Sequence, residues 1–271
     1  MVAMSNSREG QIVSSAAGVY DQFFVPALFG QWAEPVLDAA DVESGDRVLD
    51  VGCGTGVLAR TAVRRVGDAG HVAGVDPNEG MLAVARAASE RVEWVSGTAE
   101  ALPFEDGAFD RAVSQFALMF FADRPKGIAE MARVVRPGGA LGVAIWSSIE
   151  AAPGYAELAA LIERQLGREA AEGVTAPFAM ADPVLLGDLL GNSLDKVIIE
   201  PQRGTARFES IDDWLHTEIR GWTLADVIDD EQFERLLREA RTELARFVGP
   251  DGRVGFPVQA LIGTGTVPDG V

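Results

Sequence analysis

The chain has 271 residues, of which 48% are hydrophobic and 24% are charged, a composition typical of a folded globular protein. Its 41 acidic and 23 basic residues give a net charge of −18. This balance disfavours nucleic acid and anionic membranes as partners, because both are bound through clustered basic residues. The single cysteine excludes an intrachain disulfide, and His71 and His216 lie too far apart for a local metal motif, so we expect no metal.

No segment has the roughly 18 uncharged apolar residues that cross a bilayer. The first ten residues are polar and lack the apolar centre of a signal peptide. We therefore expect a cytoplasmic protein that acts on a small molecule. Its oligomeric state is left open.

Strands and helices alternate along the first half of the chain. The predicted segments are helical residues 9–41 with breaks near Pro26 and Gly30, strand 47–51, helix 57–66, strand 72–75, helix 78–90, strand 92–95, strand 109–114, helix 124–135, a Pro-Gly-Gly turn at 137–139 that ends this helix, and strand 140–146. This alternation predicts βαβ units and a parallel sheet.

After residue 146 the regular alternation of strands and helices ends. The pattern predicts helices around 155–162 and 182–190, a short strand at 197–199, a helical region at 210–248 and a last strand at 254–264. Helical insertions at about 150–180 and 209–248 are candidates for a lid over a ligand crevice. We expect three parts: N-terminal helices in 1–45 that close over the ligand, a binding core in 46–146, and late strands with lid helices in 147–271.

A glycine-rich turn, DVGCGTG at 50–56, follows the first strand. Glycines let the backbone approach a ligand closely, and the next helix begins with free N–H groups. Dinucleotide sites need the spacing G-x-G-x-x-G, and Val57 stands where its third glycine would be. The Asp50 carboxylate would repel a pyrophosphate and attract an ammonium group, so the turn indicates a ligand with a cationic amino acid moiety.

Two further strand ends carry polar groups. Asp76 ends the second strand, where a carboxylate can accept hydrogen bonds from ribose hydroxyls. The run GTAEALPF at 97–104 follows the third strand, and a polar side chain with a free backbone N–H there can contact an adenine edge.

Together these runs resemble the class I S-adenosylmethionine-dependent methyltransferases, in the type 11, ubiquinone-biosynthesis-like group that acts on small molecules. The runs that carry the resemblance are VLDVGCGTG at 48–56, GVD at 74–76, GTAEALPF at 97–104, FD at 109–110 and RPGG at 136–139. The resemblance covers about residues 20–146. It implies an α/β fold with a Rossmann-like, doubly wound seven-stranded sheet whose last strand is antiparallel. It also implies S-adenosyl-L-methionine as cofactor, S-adenosyl-L-homocysteine as product, and methyl transfer to a small, partly apolar acceptor on oxygen, nitrogen or carbon.

The resemblance implies roles for individual residues. Gly52 and Gly54 would pack against the methionine part of the cofactor, and Asp50 would orient its amino group. Ser114 and Gln115, at the end of the fourth strand, would touch the methionine moiety and face the reacting methyl group.

The adenosine part has its own implied residues. Asp76 would hold the ribose, Pro77 and Met81 would flank the adenine, and Tyr20 would close over the cofactor. Three successive residues complete the cofactor site: Thr98, Ala99 and Glu100. Thr98 and Ala99 would meet the adenine edge, although many relatives carry Asp at the position of Thr98.

The acceptor site is sought among aromatic residues and in the lid. The candidate substrate-pocket residues are Phe116, Phe120, Trp146, Trp214 and His216, with Trp222 as a further aromatic. His216 is the candidate general base because it lies in the expected lid; otherwise the catalytic residue is unknown. Displacement at a sulfonium has an excellent leaving group, so alignment and exclusion of water can supply most of the catalysis.

Other classes fit less well. The run SQFA at 114–117 lacks the Asp/Asn-Pro-Pro-aromatic motif of exocyclic base-amine methyltransferases and the cysteine that RNA C5 methylation needs. We find no carboxylate cluster of the catechol-type metal site. Two alternatives stay open: a catalytically silent S-adenosylmethionine-binding protein, and a nicotinamide-dependent oxidoreductase, which Asp50 and Val57 disfavour.

Overall fold

The computed structural model of the protein describes residues 17–220 and 228–269. Within them, seven strands form one sheet in the order β3-β2-β1-β4-β5-β7-β6. The strands are β1 (Arg47–Val51), β2 (His71–Asp76), β3 (Glu93–Ser96), β4 (Phe109–Gln115), β5 (Val135–Trp146), β6 (Asp195–Phe208) and β7 (Val254–Thr266). The last strand, β7, is antiparallel to both of its neighbours, and the β1–β5 pairs are parallel. The predicted Rossmann-like sheet is therefore confirmed.

Helices flank this sheet. They are α1 (Ala17–Val19), α2 (Ala33–Ala39), α3 (Val57–Val66), α4 (Glu79–Ala88), α5 (Arg124–Val134), α6 (Pro153–Leu166), α7 (Arg168–Thr175), α8 (Pro183–Gly191), α9 (Ile211–Arg220) and α10 (Asp230–Glu243). Short 3-10 turns lie at Leu118–Phe120, Ile149–Ala151, Ala176–Phe178 and Ala245–Phe247. We call residues 17–32 the N-terminal segment; after α1 it contains a π-helix, Tyr20–Phe29, and a 3-10 turn, Gly30–Trp32.

The glycine turn follows β1, an inner strand of the sheet that lies between β2 and β4. In β1 the side chains of Val48, Leu49 and Val51 are fully buried, as expected for a parallel strand covered on both faces. Leu49 pairs with Ala73 of β2 on one side and with Ala112 of β4 on the other. The carboxyl ends of these three neighbouring strands therefore lie side by side at one edge of the sheet.

Three boundaries differ from the prediction. The Pro-Gly-Gly run at 137–139 was expected as a turn outside the sheet, but it lies inside β5. Gly138 N–H donates to Val267 O at 3.0 Å, and Val267 N–H donates to Gly139 O at 2.8 Å. These long-range bonds hold the run against the residue that follows β7. The pairing of β4 and β5 is irregular at this point, between Phe109 and Arg111.

The strand predicted at 197–199 extends over Asp195–Phe208. It lies at the edge of the sheet, where the proline at 201 is tolerated because one side of the strand needs no ladder hydrogen bonds. The N-terminal helical region is also more irregular than predicted. It contains the π-helix with Pro26 inside it, and residues 9–16 lie outside the described part of the chain.

The inserted helices share their core with the sheet. Trp214 of α9 is fully buried and packs against Phe208 of β6 and Phe256 of β7, with ring centroids 5.7 and 4.7 Å apart. Tyr155 of α6 packs edge-to-face on the same Phe256. Both inserted regions are thus anchored to the last two strands by aromatic contacts.

In the described residues, no single helix has the length and apolar character to cross a bilayer, although the bent pair 168–178 and 183–191 passes that test jointly.

One close packing contact fixes α2 on the sheet. A Cβ built at Gly142 of β5 would lie 2.9 Å from Ala40 Cβ and 2.9 Å from Val36 O. We expect Gly142→Ala to lower the free energy of unfolding by about 1–3 kcal/mol, because the extra methyl group must displace the helix backbone. Urea unfolding followed by circular dichroism measures this change.

The matched control is Gly191→Ala at the end of α8, where an added Cβ would meet no atom within 4 Å. We expect its free energy of unfolding to stay unchanged or to rise by up to about 1 kcal/mol. Equal effects of the two substitutions would contradict the proposed packing role of Gly142.

Candidate active site

The glycine turn after β1 uses its three glycines in different ways. Gly52, Gly54 and Gly56 all have positive φ, at 72°, 54° and 87°. A Cβ at Gly52 would lie 2.3 Å from Ala117 Cβ, and one at Gly56 would lie 2.2 Å from the Trp94 ring. A Cβ at Gly54 would meet no atom within 4 Å. Two glycines therefore allow close packing inside the protein, and Gly54 presents its backbone to open space.

Asp76 orders the turn from the end of β2. Its Oδ2 accepts a hydrogen bond from Gly54 N–H at 2.9 Å, and its Oδ1 accepts one from Asn78 N–H at 2.8 Å. The side chain of Asn78 then caps α4 by accepting from Gly80 and Met81 N–H. The carboxylate is 8% exposed, and burial raises its pKa despite these two donors. Each carboxylate oxygen retains a lone pair for a further donor such as a ribose hydroxyl.

Asp50 is more deeply buried than Asp76 and lies near the carboxyl end of β1. Its Oδ2 accepts from Ala59 N–H at 3.0 Å, at the start of α3, while its Oδ1 is buried without a hydrogen-bond partner. Burial raises the pKa of Asp50 to about 8; the Ala59 N–H opposes this rise, and the negative charge of Asp76 adds to it.

Two buried carboxylates thus lie near each other at the carboxyl ends of adjacent strands. Within the described part of the chain, neither is paired with an arginine, lysine or histidine. A ligand that carries an ammonium group and a sulfonium would offset this negative charge, and the unpartnered Oδ1 of Asp50 can accept from an ammonium. The residues present therefore fit S-adenosylmethionine, the cofactor of the resemblance.

The N-terminal segment covers this edge of the sheet. Tyr20 is partly buried, packs on Phe29 with ring centroids 5.1 Å apart, and joins Met81 of α4 in a small apolar cluster. Burial of the hydroxyl raises the pKa of Tyr20, and the charges of Asp76, Asp21 and Asp50 add to this rise.

A single arginine connects this segment to the glycine turn. Arg60 of α3 forms an ion pair with Asp21 at 3.2 Å and donates to Thr55 O at 2.7 Å. The glycine turn and the N-terminal segment are therefore held by the same guanidinium group.

At the end of β4, Ser114 and Gln115 take different places. Ser114 is fully buried, and its hydroxyl donates to Val51 O at 2.8 Å, which links β4 to β1. Gln115 Nε2 donates to Phe29 O at 3.2 Å, while its Oε1 is buried without a partner. Gln115 can thus face a ligand, whereas the hydroxyl of Ser114 is already used in joining the two strands.

The remaining predicted cofactor residues lie along one rim. Pro77 and Thr98 are exposed, and Ala99 is buried near Gly127 of α5. Glu100 accepts from Asp123 N–H at 3.2 Å. The rim therefore has backbone and side-chain groups that can contact an adenine. The assignment of Pro77, Thr98, Ala99 and Glu100 to the cofactor site stays a prediction.

A cavity of about 500 Å³, partly open to solvent, adjoins this site. Its aromatic lining comes from three regions of the chain: Tyr20, Phe24 and Phe29; Phe116, Phe120 and Trp146; and Tyr155 and Phe178. Apolar Leu28, Val174 and Pro177, with Gly173 and Glu218, complete it. Tyr20 belongs both to this wall and to the surroundings of the carboxylates, so the cavity and the cofactor site meet at this ring.

The main wall is a stacked pair. Phe116 and Trp146 are nearly parallel, at 14°, with ring centroids 3.9 Å apart. Phe116 adopts a positive φ of 54°, which is unusual for a bulky residue and places its ring at the end of β4. This strained backbone presents a flat apolar surface to the cavity.

The structure places three of the predicted pocket residues, Phe116, Phe120 and Trp146, on the cavity wall. Two others need correction. Trp214 is fully buried in the core between β6 and β7, and His216 is exposed on the outer side of α9 beside Phe233. Trp222 lies outside the described residues.

The acidic residue of the cavity, Glu218, was missed by sequence reasoning. It lies one helical turn after Trp214, on the inward face of α9, whereas His216 lies between them on the other face. In the run WLHTE, Glu218 comes four residues after Trp214 and therefore lies on the same face of the helix. A prediction that Trp214 points inward would have placed Glu218 on the inward face as well.

Comparison with known proteins shows which families the chain resembles. Residues 48–139 match a family model described as a methyltransferase domain. The ubiquinone/menaquinone biosynthesis C-methyltransferase UbiE of Hahella chejuensis is 34% identical over 149 residues, which cover 52% of this chain and 60% of that protein. The 2-phytyl-1,4-naphtoquinone methyltransferase of Nostoc punctiforme is 35% identical over 47% of this chain and 59% of that protein. The chain thus spans about 60% of the length of these curated relatives.

Residues 48–139 are therefore similar to a methyltransferase domain, and the relatives that this chain resembles include quinone methyltransferases. Solved structures support the fold. The YcgJ protein of Bacillus subtilis has a TM-score of 0.58 at 20% identity, over 89% of this chain and 99% of that one. The [4+2]-cyclase SpnF has a TM-score of 0.55 at 20% identity, over 89% of this chain and 82% of that one.

The buried Asp50 generates a prediction on stability. Its folded-state pKa of about 8 lies above its ordinary value of 3.8, so between these pH values the folded protein keeps a proton that the unfolded chain has lost. Stability from this group is therefore present at low pH and is lost as pH rises towards 8. We expect Asp50→Asn, in protein stripped of cofactor, to be more stable than wild type by about 1–3 kcal/mol at pH 8 and equal to it near pH 4.

Urea unfolding at a series of pH values tests this expectation. The control is Asp68→Asn, whose exposed carboxylate pairs with Arg91 at the surface; we expect this substitution to give no gain in stability at pH 8. A loss of stability in Asp50→Asn at pH 8 would show that the charged form is held by interactions other than those described.

Proposed function

We propose that this protein transfers a methyl group from S-adenosylmethionine to a small, flat, aromatic acceptor bound in the cavity. The observation that carries the proposal is the shared Tyr20, because it joins a carboxylate-rich cofactor site to an aromatic cavity. The cavity is lined mainly by aromatic and aliphatic side chains with one carboxyl group, a lining that is usual for small-molecule sites. The curated relatives, whose names refer to quinones, support the same acceptor class.

S-adenosylmethionine, when bound, supplies a methyl group made electrophilic by the sulfonium. Asp50 accepts from the amino group of the methionine part, and Asp76 accepts from the ribose hydroxyls. Gly54 lets the ligand approach the backbone, and Gln115 Oε1 faces the methionine moiety. Tyr20 and Met81 cover the adenosine side.

The aromatic wall has two tasks in this proposal. The stacked rings of Phe116 and Trp146 orient a planar acceptor, and the N-terminal segment with the inserted helices excludes water. Orientation of the acceptor lowers the entropic cost of aligning it with the methyl group.

We further propose that residues 1–45 close over the cofactor, that 46–146 bind it, and that the insertions at about 150–180 and 209–248 act as the lid.

The partner of the proposed reaction is a small molecule. The net charge of −18 supports a protein that does not act on nucleic acid or dock on anionic membranes. The atom that is methylated, whether oxygen, nitrogen or carbon, follows from the acceptor. The fold of SpnF, a cyclase by its name, supports keeping a second candidate: a protein that binds S-adenosylmethionine without transferring its methyl group.

Cofactor binding is the first test. We expect wild-type protein to bind S-adenosylmethionine and S-adenosylhomocysteine in calorimetric titration, and Asp76→Asn to weaken both by about tenfold or more, because ribose hydroxyls lose a charged acceptor. Asp68→Asn, with its exposed carboxylate, should bind as wild type does. Binding of NADH in place of S-adenosylmethionine would contradict the proposal and favour an oxidoreductase.

Turnover is the second test. We expect homocysteine-containing product and a methylated acceptor, detected by mass spectrometry, when the protein is incubated with S-adenosylmethionine and a panel of naphthols, hydroquinones and aromatic amines. Cofactor binding with no methylated product across this panel would favour the silent binding protein.

A further inference from the structure

The wall of the cavity carries one carboxyl group that the cofactor site does not use. Glu218 of α9 is 6% exposed and lines the cavity among aromatic and aliphatic side chains. The Tyr155 hydroxyl, from α6, donates to Glu218 Oε1 at 2.6 Å. A carboxylate offers about four lone-pair positions, so Glu218 keeps acceptor capacity towards the cavity.

The surroundings of Glu218 favour a group that can take up a proton. Burial raises its pKa to about 7, and the Tyr155 hydroxyl and the Trp214 indole oppose this rise. The titratable side chains among the described residues that line the cavity are Tyr20, Tyr155 and Glu218, so no described lysine, arginine or histidine of the lining neutralises it. A carboxyl group that titrates near neutral pH is well matched to general base catalysis.

We propose that Glu218 is the catalytic residue that removes the proton of an aromatic hydroxyl group on the acceptor, and that Tyr155 is the positioning residue that orients it. This inference rests on the proposed methyl transfer. In the step, the acceptor O–H bond breaks and a new O–H bond forms on the Glu218 carboxylate. The electron pair that stays on the acceptor makes the oxygen, or the ring carbon conjugated with it, a nucleophile for the methyl group, whose bond to sulfur would break with the electron pair staying on S-adenosylhomocysteine. In methylation at carbon, the proton of that carbon would then move to the acceptor oxygen and restore the aromatic ring. Glu218 afterwards returns the proton to water.

The geometry favours a hydroxyl on a flat ring. Phe116 and Trp146 line the cavity from the sheet side, and Phe178 and Tyr155 line it from the insertion, with Trp146 and Phe178 in contact at a centroid distance of 6.0 Å. An aromatic ring bound against this lining needs one polar partner for one polar substituent, and Glu218 is the acidic acceptor that the described lining provides.

A binding experiment tests the proposal without turnover. The probes are 4-methylphenol and 4-methylanisole, which differ by the proton that Glu218 would accept; like the tyrosine hydroxyl, the hydroxyl of 4-methylphenol keeps its proton at pH 8. We expect wild-type protein at pH 8 to prefer 4-methylphenol by about tenfold, and Glu218→Gln to reduce this preference to about twofold, because a hydrogen bond to a charged group is lost. The ultraviolet absorbance of 4-methylphenol also reports whether its proton is shared in the complex.

The matched control is Glu172→Gln, which removes an exposed carboxylate from α7, the neighbouring inserted helix. It should keep the wild-type preference. Circular dichroism and thermal unfolding confirm that each variant is folded. Equal binding of the two probes by wild-type protein, or no binding of 4-methylphenol, would overturn the proposal.

Kinetic measurements with a hydroxyl-bearing acceptor that the protein methylates then distinguish the role of Glu218 from that of Tyr155. We expect Glu218→Gln to lower kcat by about 100-fold and to abolish the rise of kcat with pH through about 7. Tyr155→Phe should move that rise to higher pH with little change in KM, because the lost donor no longer favours the ionised carboxylate. A purely structural role of Tyr155 would leave the pH profile in place.

The outcomes distinguish this inference from the function on which it rests. Failure to bind S-adenosylmethionine overturns the proposed function, whatever the result with 4-methylphenol. Methyl transfer that is unaffected by Glu218→Gln overturns the role of Glu218 alone.

Discussion

The burial of two carboxylates at adjacent strand ends is the constraint on which the site depends. Asp50 and Asp76 are ordered by backbone N–H groups of Ala59, Gly54 and Asn78, so the glycine turn and the starts of α3 and α4 are built around negative charge. Buried charge of one sign is costly unless a partner offsets it. A cationic amino acid ligand offers that partner, which links the stability of the fold to the chemistry of the cofactor.

The second half of the chain completes the cavity. The inserted helices pack on β6 and β7 through the aromatic core around Trp214, so their position depends on these two strands. From that core, α6 and α9 place Tyr155 and Glu218 on the cavity wall. The N-terminal segment supplies another part of the wall and meets the glycine turn through Arg60. The proposed cofactor and acceptor sites are therefore assembled from the N-terminal segment, the strand ends and the inserted helices around one sheet.

Much of the fold could be predicted because local patterns are strong in its first half. The strand at 47–51 and the helix at 57–66 were predicted with the bounds that the structure has, since a buried apolar run and a glycine turn define them. The extent of β6 was missed because an edge strand with a proline carries a weak period-two pattern. The Pro-Gly-Gly run was misplaced because its partners, at the end of β7, are distant in sequence.

The sequence by itself determined the Rossmann-like class and the carboxylates at the strand ends, and it indicated the proposed cofactor. These features depend on short runs of neighbouring residues whose spacing is set by strand and turn geometry. Only the tertiary structure decided which residues of the inserted helices face the cavity. Trp214, His216 and Glu218 share one short helix, and the direction in which that helix packs sends the first into the core, the second to solvent and the third to the cavity. The helical period relates these three positions to one another, but long-range packing against β6 and β7 sets which face points to the core.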